Sequence, residues 1–270
     1  MPAASPFRDY IALTRLDRPV GIWLLLWPTL WGLWWAAGGW PPWPVLLVFV
    51  LGTVLMRSAG CAINDVADRK VDPHVRRTAD RPIAAGRLRP GQGVMVAVVL
   101  TLLALLLLLS LRSLPALLWS VPAAMLAGVY PLMKRYIDLP QAVLGLAFSW
   151  GIPMAWAAQG GDVPMWPVLP LMLANVCWVV AYDTYYAMAD REDDERVGVR
   201  SSARLFGRHA RGVVLLLNLV TVAILAVMGM VAARGLPFAC GLGVALWLMV
   251  SAHRATRSGG AEACFAAFRR

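Results

Sequence analysis

Long apolar stretches separated by short polar turns set the pattern of this chain, and they predict helices. Eight of them lie near residues 20–38, 44–63, 92–111, 115–133, 140–159, 166–189, 211–233 and 235–252. Each is long enough, or nearly so, to cross a hydrocarbon core of about 30 Å, which takes about 20 helical residues. Runs such as Leu102–Leu109 show no alternation, which excludes a membrane β-barrel. Helices satisfy their own backbone in lipid. The expected fold is all-α, a polytopic transmembrane helical bundle with eight spans. No polar stretch is long enough for a separate soluble domain, so residues 1–270 read as a single domain. Ahead of the first span, Phe7, Tyr10, Ile11, Leu13 and Leu16 alternate with charges over residues 5–19. That predicts a short amphipathic helix lying at the interface.

Composition agrees with this reading: 60% of residues are hydrophobic and the mean hydropathy is +0.65. The net charge of +10 would suggest a nucleic-acid partner, but its distribution argues otherwise. Of the 25 Lys and Arg, all but Arg112 and Arg234 fall on one side of the predicted spans. This is the positive-inside bias, and it places the amino terminus and the inner loops in the cytoplasm. The surplus charge faces membrane lipid headgroups and an anionic substrate, not nucleic acid. Cys61, Cys177, Cys240 and Cys264 show neither metal-ligand spacing nor an evident pairing, so they read as packing residues. Residues 1–19 hold three arginines with Asp9 and Asp17, unlike a cleavable leader, and no Arg/Ser-rich transit segment precedes the first span. The expected location is a bacterial cytoplasmic (inner) membrane.

Two acidic clusters stand at the inner mouths of apolar segments. One is Asn64-Asp65-Val66-Ala67-Asp68 running to Asp72; the other is Asp183 followed by Asp190, Asp193 and Asp194. An ionisable group beside hydrocarbon is costly and marks binding or transport. On a continuous helix at about 100° per residue, Asp183, Asp190 and Asp194 would share one face. Asn64, Asp68 and Asp72, spaced i, i+4, i+8, would do likewise, with Asp65 pointing about 60° away from Asp68. Rows of carboxylates repel unless a counterion sits among them, and Mg²⁺ suits a few carboxylates plus phosphate oxygens. Basic residues suited to an anion lie near: Arg81 before Pro82, Lys134 and Arg135 one turn after Tyr130, and Arg57 deeper in the second span. Diphosphate would be recognised by that mixture of metal and cations. Neither GxxxxGK[ST] nor GxGxxG occurs, which removes a nucleotide-phosphate loop. The competing readings are acids and arginines that merely pair at helix ends, and a cation transporter. A transporter would hold its acids near mid-membrane on broken helices, away from the inner ends.

Asn64-Asp-x-x-Asp68-x-x-x-Asp72, Arg77-Thr-x-x-Arg81-Pro82, Tyr130-Pro-x-x-Lys134-Arg135 and Tyr182-Asp-Thr-x-Tyr-Ala-Met-x-Asp190-Arg-x-Asp-Asp194 together resemble the UbiA superfamily of intramembrane prenyltransferases. Within it, Leu55-Met-Arg57-Ser-Ala-Gly-Cys-x-x-Asn-Asp and residues 182–194 look like the members that prenylate 4-hydroxybenzoate in ubiquinone biosynthesis. The resemblance implies a lipid-open helical bundle in which Mg²⁺ holds polyprenyl diphosphate between the two Asp motifs. Carried over by motif, Asn64, Asp68, Asp72, Asp190 and Asp194 would serve the metal and diphosphate. Arg81, Tyr130, Lys134 and Arg135 would contact diphosphate, and Arg57 would take the benzoate carboxylate. Asp183 would lie by the reacting ring and, with Asp190, act in catalysis. A relative with another aromatic acceptor is the nearest alternative. The family has nine spans, and here the sequence after residue 261 stops before a last apolar helix.

Overall fold

The computed structural model describes residues 6–75, 77–133, 136–198, 200–258 and 260–269, with the side chains of Pro6, Asp193, Asp194, Val197 and Ser258 outside the description. The described residues are helical and contain no strand. Among the described residues, seven helical stretches are long and apolar enough to cross a membrane. Apolar side chains cover their outsides: Met95, Leu102, Leu106 and Leu109 of the Pro90–Ser110 helix are all exposed. In water such a surface would be a large apolar patch; against lipid it is the expected boundary.

Contacts divide the chain into two compact units, Met1–Leu132 with Pro153–Asp162, and Met133–Ile152 with Val163–Arg270. The first begins with α1 (Pro6–Thr14), the interfacial helix that the sequence predicts, followed by α2 (Val20–Ala37), α3 (Trp43–Ala67), α4 (Pro90–Ser110) and α5 (Leu114–Met133). Prolines open α3 and α4 at their first turns, where the missing N–H has no helical partner to lose. Gly38 closes α2 in the left-handed conformation, φ 64, and its N–H bonds Trp35 O. Leu13 of α1 is fully buried against Ala59 and Ala62 of α3, Ile83, Leu88 and Ala97 of α4. Gly93 lets α4 approach: a Cβ there would lie 2.7 Å from Val66 Cγ2 and 2.8 Å from Ile83 Cδ1.

The predicted span over 140–159 is two helices, α6 (Pro140–Ser149) and α7 (Gly151–Gln159). Pro153 has no N–H for the carbonyl of Ser149, so the hydrogen-bond ladder breaks there. Among the described residues, seven spans therefore stand where eight were expected.

In the second unit α8 (Met165–Ala189) is central. Gly145 of α6 packs directly on its backbone, with a Cβ position 3.0 Å from Val176 Cα. Asn175 Nδ2 donates to Ser149 Oγ at 2.9 Å. After α8 come α9 (Arg191–Val197), α10 (Ser202–Phe206), α11 (Ala210–Val231), α12 (Leu236–Ala255) and α13 (Ala261–Phe268). Thr221 of α11 donates to Ala174 O of α8 at 3.2 Å, and the Phe268 ring of α13 packs at a tilt against Tyr182 and Tyr186.

Candidate active site

The first acidic cluster does not follow one helical face. α3 stops at Ala67, and Asp68 caps it at φ −90, ψ 6, its N–H bonding Asn64 O. Asp72 opens a short 3-10 turn through His74. Pro73 explains the break, because a helix through Asp72 would drive the proline ring into the carbonyl four residues back. The expected row Asn64, Asp68, Asp72 is thus corrected: Asn64 and Asp68 remain half-buried neighbours one turn apart, and Asp72 leaves the helix.

Asp65, expected to point away, is the most buried acid of the cluster, 2% exposed. Arg15 Nη2 reaches both its oxygens, at 3.0 and 3.2 Å. Arg81 Nη1 lies 3.1 Å from Asp65 Oδ1 and 2.9 Å from Asp72 Oδ2. Two buried carboxylates and two partly exposed guanidiniums thereby form a charge-balanced lattice. Thr78 Oγ1 donates to Asp72 O at 3.0 Å and closes the loop. Burial pushes the Asp72 carboxyl above its ordinary range, against the pull of the adjacent Arg81 guanidinium. α1 is also held to this loop by Arg87 Nε to Asp9 Oδ1 at 2.8 Å, and to the first turn of α4 by Gln92 Nε2 to Tyr10 OH at 2.9 Å. Arg15 itself adopts φ 57, a left-handed conformation unusual for a non-glycine residue, and this turn aims it at Asp65. The sequence reading missed Arg15, which lies 50 residues from its partner. The signal was an acid buried in an apolar helix, which demands a cation.

Among the other expected residues of this unit, Arg57 stands on α3 with Nη1 donating to Cys61 Sγ. Tyr130 is half-buried near the end of α5. Lys134 and Arg135 lie outside the described residues. Arg81, expected at diphosphate oxygens, is engaged here by Asp65 and Asp72.

In the second unit α8 ends at Ala189 and Asp190 caps it at φ −94, ψ 2, its N–H bonding Tyr186 O. The continuous helix over 183–195 is therefore also corrected. Acids are disfavoured at the negative end of a helix dipole and favoured at the positive end. Breaking at Asp190 moves Glu192, Asp193 and Asp194 from a helix terminus of the first kind into the opening turn of α9. Asp183 and Asp190, two turns apart and both half-buried, stay on one face of α8; the Asp194 side chain lies outside the description. Beside Asp183, Thr184 is fully buried and shares a 2.8 Å hydrogen bond with Ser202.

Among the described residues no three His, Cys, Asp or Glu gather around one point as a ready metal cage. The donor chemistry nevertheless fits Mg²⁺. The candidate donors are all oxygen, and this ion takes one or two carboxylates, with substrate phosphates completing its shell.

The sequence pattern of the UbiA prenyltransferase family matches residues 25–270. A Nitrosomonas eutropha protein named 4-hydroxybenzoate octaprenyltransferase is 52% identical over 268 residues, 99% of this chain and 93% of that protein. Two solved structures share the fold. A UbiA homolog from Aeropyrum pernix has a TM-score of 0.75 at 21% identity, covering 98% of this chain and 94% of its own. A UbiA homolog from Archaeoglobus fulgidus bound to GPP and Mg²⁺ has a TM-score of 0.74 at 16% identity, covering 97% and 100%. With a family pattern spanning most of its length and a relative of such identity, this chain belongs to the UbiA prenyltransferase family.

Proposed function

We infer that this chain transfers a polyprenyl group from polyprenyl diphosphate to the ring carbon ortho to the hydroxyl of 4-hydroxybenzoate, a step of ubiquinone biosynthesis. The observation that carries this reading is the 52% identity, over nearly the whole of both chains, to a protein named for that reaction. The acids capping α3 and α8 supply the matching chemistry. In the reaction the allylic carbon–oxygen bond breaks, a carbon–carbon bond forms at the ring, diphosphate departs, and the ring loses a proton.

Mg²⁺, when bound, neutralises charge on the leaving diphosphate. The chain's own residues do the remainder. Asn64, Asp68, Asp72, Asp190 and Asp194 offer oxygen donors to the metal. Arg81 holds the Asp72 carboxylate in place, and Tyr130, Lys134 and Arg135 contact diphosphate oxygens. Arg57 receives the benzoate carboxylate. Asp183, half-buried on α8, is the base that accepts the ring proton in this reading. The apolar helices accommodate the isoprenoid tail and keep water from the reactive carbon. The amino terminus and the acids face the cytoplasm of a bacterial inner membrane, as the distribution of Lys and Arg supports.

The test is incubation of membranes carrying the protein with labelled polyprenyl diphosphate, Mg²⁺ and, in parallel, 4-hydroxybenzoate or other aromatic acceptors. Labelled 3-polyprenyl-4-hydroxybenzoate is expected. Preferential prenylation of another acceptor would reassign the substrate.

A further inference from the structure

Arg57 lies well inside α3, about 15 Å by helical rise from its last residue. Its guanidinium bends toward the Asp68 end, because Nη1 donates to Cys61 Sγ one turn further on. Nε is buried and has no hydrogen-bond partner among the described residues. An unmet donor on a charged group is costly inside a protein, so an anion arriving there would relieve it.

The guanidinium fills space that a side chain on Gly21, in the first turn of α2, would occupy. A Cβ at that position would come within 2.4 Å of Nη2, 2.5 Å of Nε and 2.8 Å of Cζ. The backbone does not ask for glycine here: Gly21 is helical and shows no positive φ. A helical glycine is in fact less stable than alanine by about 0.5–1 kcal/mol. The packing of Arg57 is what requires the missing side chain.

We propose that Gly21 is a positioning residue for the acceptor, admitting the Arg57 guanidinium to the place where, with Cys61 anchoring Nη1, it receives the acceptor's carboxylate. This rests on the assignment of that carboxylate to Arg57 made above. Gly21→Ala must displace the guanidinium from 2.4 Å to the 3.4 Å of ordinary contact, and a misplacement of that size can cost on the order of 10²-fold in a catalytic site. Cys61→Ala, which removes the anchor without blocking the space, acts in the same direction with a smaller effect.

The experiment measures KM for 4-hydroxybenzoate and for polyprenyl diphosphate, and equilibrium binding of labelled 4-hydroxybenzoate, in wild type, Gly21→Ala, Arg57→Ala and the double variant. Preference for 4-hydroxybenzoate over its neutral amide is measured alongside. Gly21→Ala is expected to raise the acid KM about tenfold or more, weaken acid binding in parallel, leave the donor KM within about twofold, and erode the preference for acid over amide. In the Arg57→Ala background, where the space is vacant, adding Gly21→Ala should change nothing further. An unchanged acid KM in Gly21→Ala, with Arg57→Ala raising it, overturns the role of Gly21 alone. An unchanged acid KM in Arg57→Ala overturns the carboxylate assignment and the proposal with it. Should Gly21→Ala fail to fold, Cys61→Ala carries the same comparison, and an acid KM and amide preference equal to wild type in that variant overturns the proposal.

Discussion

α3 and α8 are each 25 residues long, and each stops on an aspartate in nearly the same conformation, Asp68 at φ −90, ψ 6 and Asp190 at φ −94, ψ 2. Three residues before the cap they part company. α3 buries Asp65 there, whereas α8 buries Ala187. The buried acid brings Arg15, Arg81 and Asp72 into a closed lattice. At the end of α8, by contrast, the Arg191–Glu195 pair at 2.9 Å is about half exposed on both sides. The comparison separates two jobs. Features common to both helices, the capping aspartates, are suited to chemistry on a shared substrate class. The feature seen at the end of α3, the lattice of arginines and acids, is suited to holding a loop and α1 in place.

The largest expected effect tests the shared feature. Asp68→Asn and Asp190→Asn should each reduce Mg²⁺-dependent prenylation by on the order of 10²-fold or more, with little change in apparent melting temperature in detergent. Equal loss of melting temperature and activity would place these residues with the scaffold. Next comes the lattice itself. Arg81→Ala strands the buried Asp72 carboxylate and leaves Asp65 with Arg15 alone, and should destabilise the first unit by about 3–5 kcal/mol. Arg15→Ala should cost less, since Asp65 keeps Arg81, and the ordering of the two by thermal unfolding checks the bridging role. Gly93→Ala should cost about 1–3 kcal/mol by overpacking Val66 and Ile83. The smallest effect belongs to the second helix end: Arg191→Ala should change stability by no more than about 0.5 kcal/mol. A large effect there would erase the contrast drawn between the two ends.

Much of this architecture is written in apolar length alone. The spans near 92–111, 115–133, 166–189 and 211–233 match α4, α5, α8 and α11 within a few residues, because lipid demands uninterrupted helices of fixed reach. The break between α6 and α7 was hidden because the stretch is equally apolar on both sides of Trp150, and only Pro153 marked it. The acids were conspicuous as charges in an apolar chain, but their rows were extrapolated past the points where Pro73 and the helix dipole end the helices. The Arg15–Asp65 link could not be read from spacing, since 50 residues separate partners on different elements. Gly21 carries no signal in the apolar pattern, and only the packed Arg57 guanidinium singles it out.

The proposal that the acids ending α3 and those ending α8 serve one metal-bound diphosphate is tested most directly by equilibrium binding of labelled polyprenyl diphosphate with Mg²⁺ or with EDTA. Wild type, Asp68→Asn, Asp190→Asn and the double variant would be compared. The account predicts Mg²⁺-dependent binding in wild type, its loss in either single variant, and no further loss in the double. Binding that survives EDTA, or single losses that simply add in the double variant, would contradict it.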